Sequence, residues 1–65
     1  MPNVETAHDK AVQRIAEQEG RIARQERLIV HLDRDGHSSE AARELLTVME
    51  DSLSVLRSSL TLIPN

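Results

Sequence analysis

The segment Ile29-Val30-His31-Leu32-Asp33-Arg34-Asp35-Gly36-His37-Ser38-Ser39-Glu40-Ala41-Ala42-Arg43-Glu44-Leu45-Leu46 decides the fold. An apolar row arrives at Leu32, Asp35-Gly36 interrupts it, and a second row leaves from Ala42. Upstream, the first row reads His8, Ala11, Ile15, Gln18, Ile22, Gln25, Ile29, Leu32. Downstream, the second reads Ala42, Leu46, Met49, Leu53, Leu56, Leu60, Ile63. Steps alternate between three and four residues, the spacing that keeps side chains on one face of an α-helix. Fold the chain at Gly36 and the rows meet rung by rung, from Leu32 with Ala42 out to Ala11 with Ile63. The two residue numbers of every rung total 74 or 75. That constancy predicts an all-α protein, an antiparallel two-helix coiled-coil hairpin. Helix 1 is expected over about residues 4–34, the turn over 35–38 and helix 2 over about 39–63, in one domain covering 1–65.

Local signals agree with these bounds. Asn3 is a candidate N-cap, and Glu5 in the first turn suits the helix dipole. Gly20 costs helix 1 about 1 kcal/mol relative to Ala, yet the row continues in phase on both sides of it. Gly36 is free to take positive φ and end helix 1. Ser38 or Ser39 caps helix 2, Glu40 sits in its first turn, and Pro64 stops it. Helix 1 is expected to overhang helix 2 by about two turns.

Composition narrows the class. Chains below roughly 70–80 residues rarely stabilise a lone core without disulfides, a metal or oligomerisation. There is no cysteine among the 65 residues, so disulfides and thiolate metal sites are excluded. Phe, Trp and Tyr are absent, which suits helix packing and removes the rings on which single-stranded bases stack. A net charge of −3 argues against a dedicated nucleic-acid binder. No apolar run approaches the roughly 20 residues that span a bilayer. Neither a signal peptide nor a cofactor is expected, and a cytoplasmic location is.

Each helix carries a second row. On helix 1 it is Val12, Ala16, Glu19, Ala23, Glu26, Val30; on helix 2 it is Leu45, Val48, Ser52, Val55, Ser59, Leu62. At 100° per residue both lie roughly 90–110° around their helix from the first seam. One seam closes a hairpin; a second at about a right angle is what a four-helix bundle requires. The expected self-association seam comprises Val12, Ala16, Ala23, Val30, Leu45, Val48, Ser52, Val55 and Leu62, with a second copy as partner, most simply in a homodimer. Another helical protein fits the same surface. Within the first seam, Gln18 and Gln25 are expected to face Leu56 and Met49. Each amide either bends outward to water or bonds across the bundle to a symmetry mate, fixing register.

Candidate chemistry is thin. His31-Leu32-Asp33-Arg34-Asp35-Gly36 superficially resembles a calcium loop, but position 1 is His31 and position 12 is Ala42, where a bidentate Glu belongs. Asp33 and Asp35 are instead expected as turn formers. His31, Asp33, Asp35 and His37 crowd the turn without a recognised zinc spacing. A hairpin has no cleft to desolvate a nucleophile, which argues against catalysis. Lys10, Arg14, Arg21 and Arg24 share an outer face of helix 1, a candidate phosphate face, with Glu17 among them in ion-pair spacing to Arg21.

The segments Leu32 to Leu53 and Arg21 to Ile29 resemble a group of short uncharacterised alphaproteobacterial proteins. The shared features are a Gly-His turn (Gly36-His37), a Leu-Leu pair (Leu45-Leu46) and a following Met (Met49). Members carry Asp-Thr where this chain has Ser38-Ser39, and both choices cap a helix. The resemblance covers most of the chain. It implies a bacterial, cytoplasmic origin and carries over no activity. The expected function is that of a non-catalytic module acting through protein–protein contacts. The alternative is a nucleic-acid-binding regulator using the Arg face.

Overall fold

The computed structural model describes residues 6–62. It is an all-α hairpin of two helices, α1 (Ala7–Arg34) and α2 (Glu40–Leu62). Thr6-Ala7-His8-Asp9 sets the start of α1. Thr6 has extended backbone at φ −82° and ψ 165°. Its hydroxyl accepts from the Asp9 N–H at 3.0 Å, and its own N–H donates to the Asp9 carboxylate at 3.3 Å. This reciprocal box satisfies two of the donors that a helix start leaves unpaired. It places the start after Val4, where the apolar pattern had put it. Asn3, Val4 and Glu5 lie outside the described residues, as do Ile63 and the Pro64 stop.

α1 ends as the Asp-Gly pair predicts. Gly36 takes φ +75°. The His37 N–H donates to the Leu32 carbonyl at 2.9 Å and the Gly36 N–H to that of Asp33 at 3.2 Å. These are the two bonds of a Schellman turn, which a residue without Cβ closes without strain. Ser39 then precedes α2, its carbonyl accepting from the Arg43 N–H at 2.9 Å.

At 1.5 Å per residue the arms are about 42 Å and 35 Å long. The molecule extends 52 × 25 × 11 Å, with a radius of gyration of 15.6 Å. A compact chain of this length would have about 11 Å. So slender a shape buries little. Ile29 (6% exposed) and Ala42 (9%) are the buried apolar residues among those described, joined by the polar Gln25 and Ser39 at 8% each. Ala11, Ile15, Gln18, Ile22, Leu32, Leu46, Met49, Leu53, Leu56 and Leu60 are half-buried. The described seam positions therefore all turn toward the partner helix, with burial deepest beside the turn.

Candidate interaction surface

Two ion pairs fix how the helices face each other. Arg43 pairs with Asp33 at 2.6 Å and Arg57 with Glu19 at 2.8 Å. Each partner is the residue just after a seam position: Asp33 after Leu32, Arg43 after Ala42, Glu19 after Gln18, Arg57 after Leu56. Both pairs therefore run along one flank of the seam. They also show that residues following the seam on α1 share a broad face with residues following the seam on α2. An antiparallel partner is viewed from its other end, so its angular sense is reversed. Residues preceding the seam share the opposite face.

This geometry corrects the second seam. Val12, Ala16, Ala23 and Val30 follow seam positions and lie on the ion-pair face. Leu45, Val48, Ser52, Val55 and Leu62 precede seam positions and lie on the other. The two halves of the expected self-association seam are on opposite sides of the hairpin. On the side of the α2 row, α1 presents Lys10, Arg14, Glu17, Arg21, Arg24 and Leu28. A shallow groove lined by Ala7, Lys10, Ala11, Arg14, Leu56 and Ser59 joins the two rows at their open end. The result is a basic and apolar face: cations along α1, an uncharged row along α2.

That face is open. Leu28 is 45% exposed, Leu45 47%, Val48 62%, Val55 64% and Leu62 83%. On the opposite face Val12 and Val30 are also exposed, but among Glu19, Glu26, Asp33, Arg43, Glu50 and Arg57 rather than in an uninterrupted row. Lys10, Arg14, Arg21 and Arg24 form no ion pair among the described residues. Glu17 and Arg21, in ion-pair spacing along α1, form no ion pair with each other.

The glutamine rungs resolve differently from either expectation. Gln18 Nε2 donates to the Met49 carbonyl at 3.0 Å, and Gln25 Nε2 donates to the Ala42 carbonyl at 2.9 Å. Both amides stay within the hairpin, each reaching a carbonyl seven residues nearer the turn than its expected rung partner. Seven residues are about 10 Å of helix, more than a glutamine side chain spans, so α2 sits roughly one seam step away from the expected register of 74 or 75. Each acceptor lies inside α2, where the helix ladder uses one carbonyl lone pair and leaves the second available. Among the described residues no buried side-chain nitrogen or oxygen is unpaired.

The turn holds a network that the turn-former reading of Asp33 missed. The Ser39 hydroxyl donates to the Asp33 carboxylate at 2.6 Å and accepts from Arg43 Nε at 3.0 Å, while Arg43 also grips the Asp33 carboxylate. Hydrogen bonding from Ser39, with Arg43 beside it, holds the Asp33 carboxyl below the usual aspartate value against a smaller desolvating effect. Ser39 therefore locks the turn to both helices instead of capping in the ordinary way. No group of three or more His, Asp or Glu residues among those described is arranged to hold a metal. No helix of the described residues is long and apolar enough to cross a membrane.

No family model, no curated protein and no solved structure matches this chain.

Proposed function

We propose that this protein is a small non-catalytic interaction module that self-associates through helix packing, forming a cytoplasmic homodimer in which two hairpins build a four-helix, coiled-coil-like bundle. One observation carries the reading. The row Leu45, Val48, Val55, Leu62 is 47–83% exposed on a hairpin whose buried apolar residues, among those described, are Ile29 and Ala42. A long apolar row on so small a core calls for cover. Sedimentation across a micromolar concentration series tests it. The wild type is expected to associate, and Val55→Glu, which sets a charge in the covered row, to lose association and helicity together. A wild type that stays a folded monomer throughout sinks the proposal.

A second reading rests on the four cations Lys10, Arg14, Arg21 and Arg24, which carry no ion pair among the described residues and line one face. It is a nucleic-acid-binding regulator. Binding to RNA or DNA that weakens steeply with salt supports it, because each phosphate contact releases counterions. The neighbouring apolar row and the overall charge of −3 favour the first reading.

A further inference from the structure

The turn contains a bond with chemistry of its own. In an Asp-Gly pair the glycine nitrogen can attack the aspartate side chain, because no Cβ on the glycine crowds the approach. Asp35 and Gly36 are both exposed, so water reaches the site. No atom lies within 4 Å of where a Gly36 Cβ would stand. The other described aspartates differ. Asp9, Asp33 and Asp51 precede Lys10, Arg34 and Ser52, which carry side chains, and all three lie inside the helices.

The closed turn holds the reacting atoms apart. Ring closure needs the Asp35 Cβ and the Gly36 nitrogen on the same side of the Asp35 Cα–C bond. Asp35 has φ −85° and ψ 2°. At that ψ the Gly36 nitrogen eclipses the nitrogen of Asp35 itself, and Cβ stands about 120° away around the bond. The Gly36 N–H is also engaged, donating to the Asp33 carbonyl at 3.2 Å, while the His37 N–H donates to the Leu32 carbonyl at 2.9 Å. Ser39 and Arg43 both hold the Asp33 carboxylate, tying the start of α2 to the end of α1 across these residues.

We infer that Asp35 is a site of spontaneous aspartyl isomerisation gated by the turn: closed, the bond is protected; open, it converts. The Gly36 nitrogen gives its proton to water and bonds to the Asp35 Cγ, whose hydroxyl leaves as water. The succinimide then takes one water back. Addition at Cγ breaks the new bond and restores aspartate. Addition at the Asp35 main-chain carbonyl breaks the original peptide bond and leaves the chain running through Cβ and Cγ. No oxidant, reductant or cofactor is consumed. The isoaspartyl main chain is one methylene longer inside the segment that the two Schellman bonds close, so conversion weakens the hairpin it occurs in. The inference stands apart from self-association.

Ageing the protein in warm neutral buffer tests it, with and without guanidinium chloride. Trypsin releases Asp35–Arg43, in which Asp35 is the only aspartate, and synthetic aspartyl and isoaspartyl peptides identify the two forms by retention. The unfolded chain is expected to convert at least about tenfold faster than the folded one, because a folded chain is open only as a minor population. Arg43→Ala loosens the turn network and should raise conversion in native buffer severalfold; Arg57→Ala removes the distant ion pair and should leave it unchanged. The isoaspartyl fraction should melt below the aspartyl fraction. A denatured chain that stays aspartyl at position 35 overturns the site. Equal rates in folded and unfolded protein, or in Arg43→Ala and Arg57→Ala, overturn the gate.

Discussion

Truncating Ile29 and Val55 to alanine separates what holds the hairpin from what covers it. Ile29 is 6% exposed and lies in the seam beside the turn; Val55 is 64% exposed on the open face. Ile29→Ala removes three carbons at about 0.8 kcal/mol each, roughly 2.4 kcal/mol before any cavity cost. Two-helix walls collapse readily, so the total should fall near 2.5–3.5 kcal/mol. At about 0.05–0.15 kcal/mol per residue the whole chain holds only about 3–10 kcal/mol. The variant should therefore lose about a quarter or more of its stability at every concentration. Val55→Ala removes two carbons, of which only about a third of the burial value is realised in the lone hairpin, or about 0.5 kcal/mol. Alanine's better helix propensity offsets about that much, so the isolated hairpin should not notice. If a second copy covers Val55, the remaining 1 kcal/mol or so is lost once per copy. Two copies make about 2 kcal/mol, near thirtyfold in dissociation constant. Circular dichroism melts of both variants at low and high micromolar concentration, with sedimentation beside them, supply the readout. A Val55→Ala dissociation constant equal to wild type refutes coverage of this row. An Ile29→Ala melt as mild as that of Val55→Ala refutes the seam.

Three further outcomes follow from the geometry. Gln25→Leu forfeits a hydrogen bond worth about 0.5–1.5 kcal/mol but leaves the Ala42 carbonyl its ladder bond, and the added apolar burial outweighs the loss by about 1 kcal/mol; Gln25→Ala gains nothing in return, so a denaturant midpoint equally low for both would refute this. Gly36→Ala meets no atom within 4 Å of the new Cβ, so its cost is the positive-φ strain alone, about 1–2 kcal/mol by thermal melt, with Gly36→Asn milder. Asp33 has a folded-state pKa below the ordinary aspartate value, so its contribution is fully present above that ordinary value and is lost as pH falls through the lower folded pKa; titrating stability over that acid range should give a flatter curve for Asp33→Asn, and parallel curves would discount the turn network.

The hairpin was legible because a row with steps of three and four residues is helix geometry written directly into residue order. The turn was legible for a similar reason: Gly36 must tolerate a positive φ that the Schellman bonds require. The broad faces were less so. Stepping one residue forward on helix 1 and one back on helix 2 looks like the same displacement from the seam, but antiparallel direction turns these steps to opposite sides. The acid–arginine spacings held the clue, since Glu19 and Arg57 each follow a seam position. Leu28 escaped notice because its row neighbours Arg21, Arg24 and His31 are polar and give it no periodic support. The Thr6–Asp9 box competes with Asn3 at the level of residue type, and the choice between them is made by backbone geometry. Asp33–Ser39–Arg43 joins residues six and ten positions apart across a turn, a distance over which neither helical nor strand periodicity speaks. The glutamines read as misfits in an apolar row because side-chain pairing was the only partner considered, whereas the seam is narrow enough for their amides to reach the opposite backbone.

The composition of α2 gives the strongest reason to look for a covering partner. Its two flanks beside the seam are equivalent in an isolated hairpin. Both stand about a quarter turn from α1, and both are exposed along most of their length. One flank is Arg43, Thr47, Glu50, Ser54, Arg57 and Thr61, polar throughout and all exposed. The other is Leu45, Val48, Ser52, Val55, Ser59 and Leu62, uncharged throughout and equally exposed. Helix propensity does not account for the difference, because valine is a poorer helix former than arginine or glutamate. Hairpin closure does not account for it either, because the seam between the flanks already supplies that contact, and its buried amides are paired. Solubility alone would put charge on both sides. Two flanks alike in geometry and opposite in chemistry differ in what they touch. Water suits the first, and the second is suited to another apolar row of the same pitch.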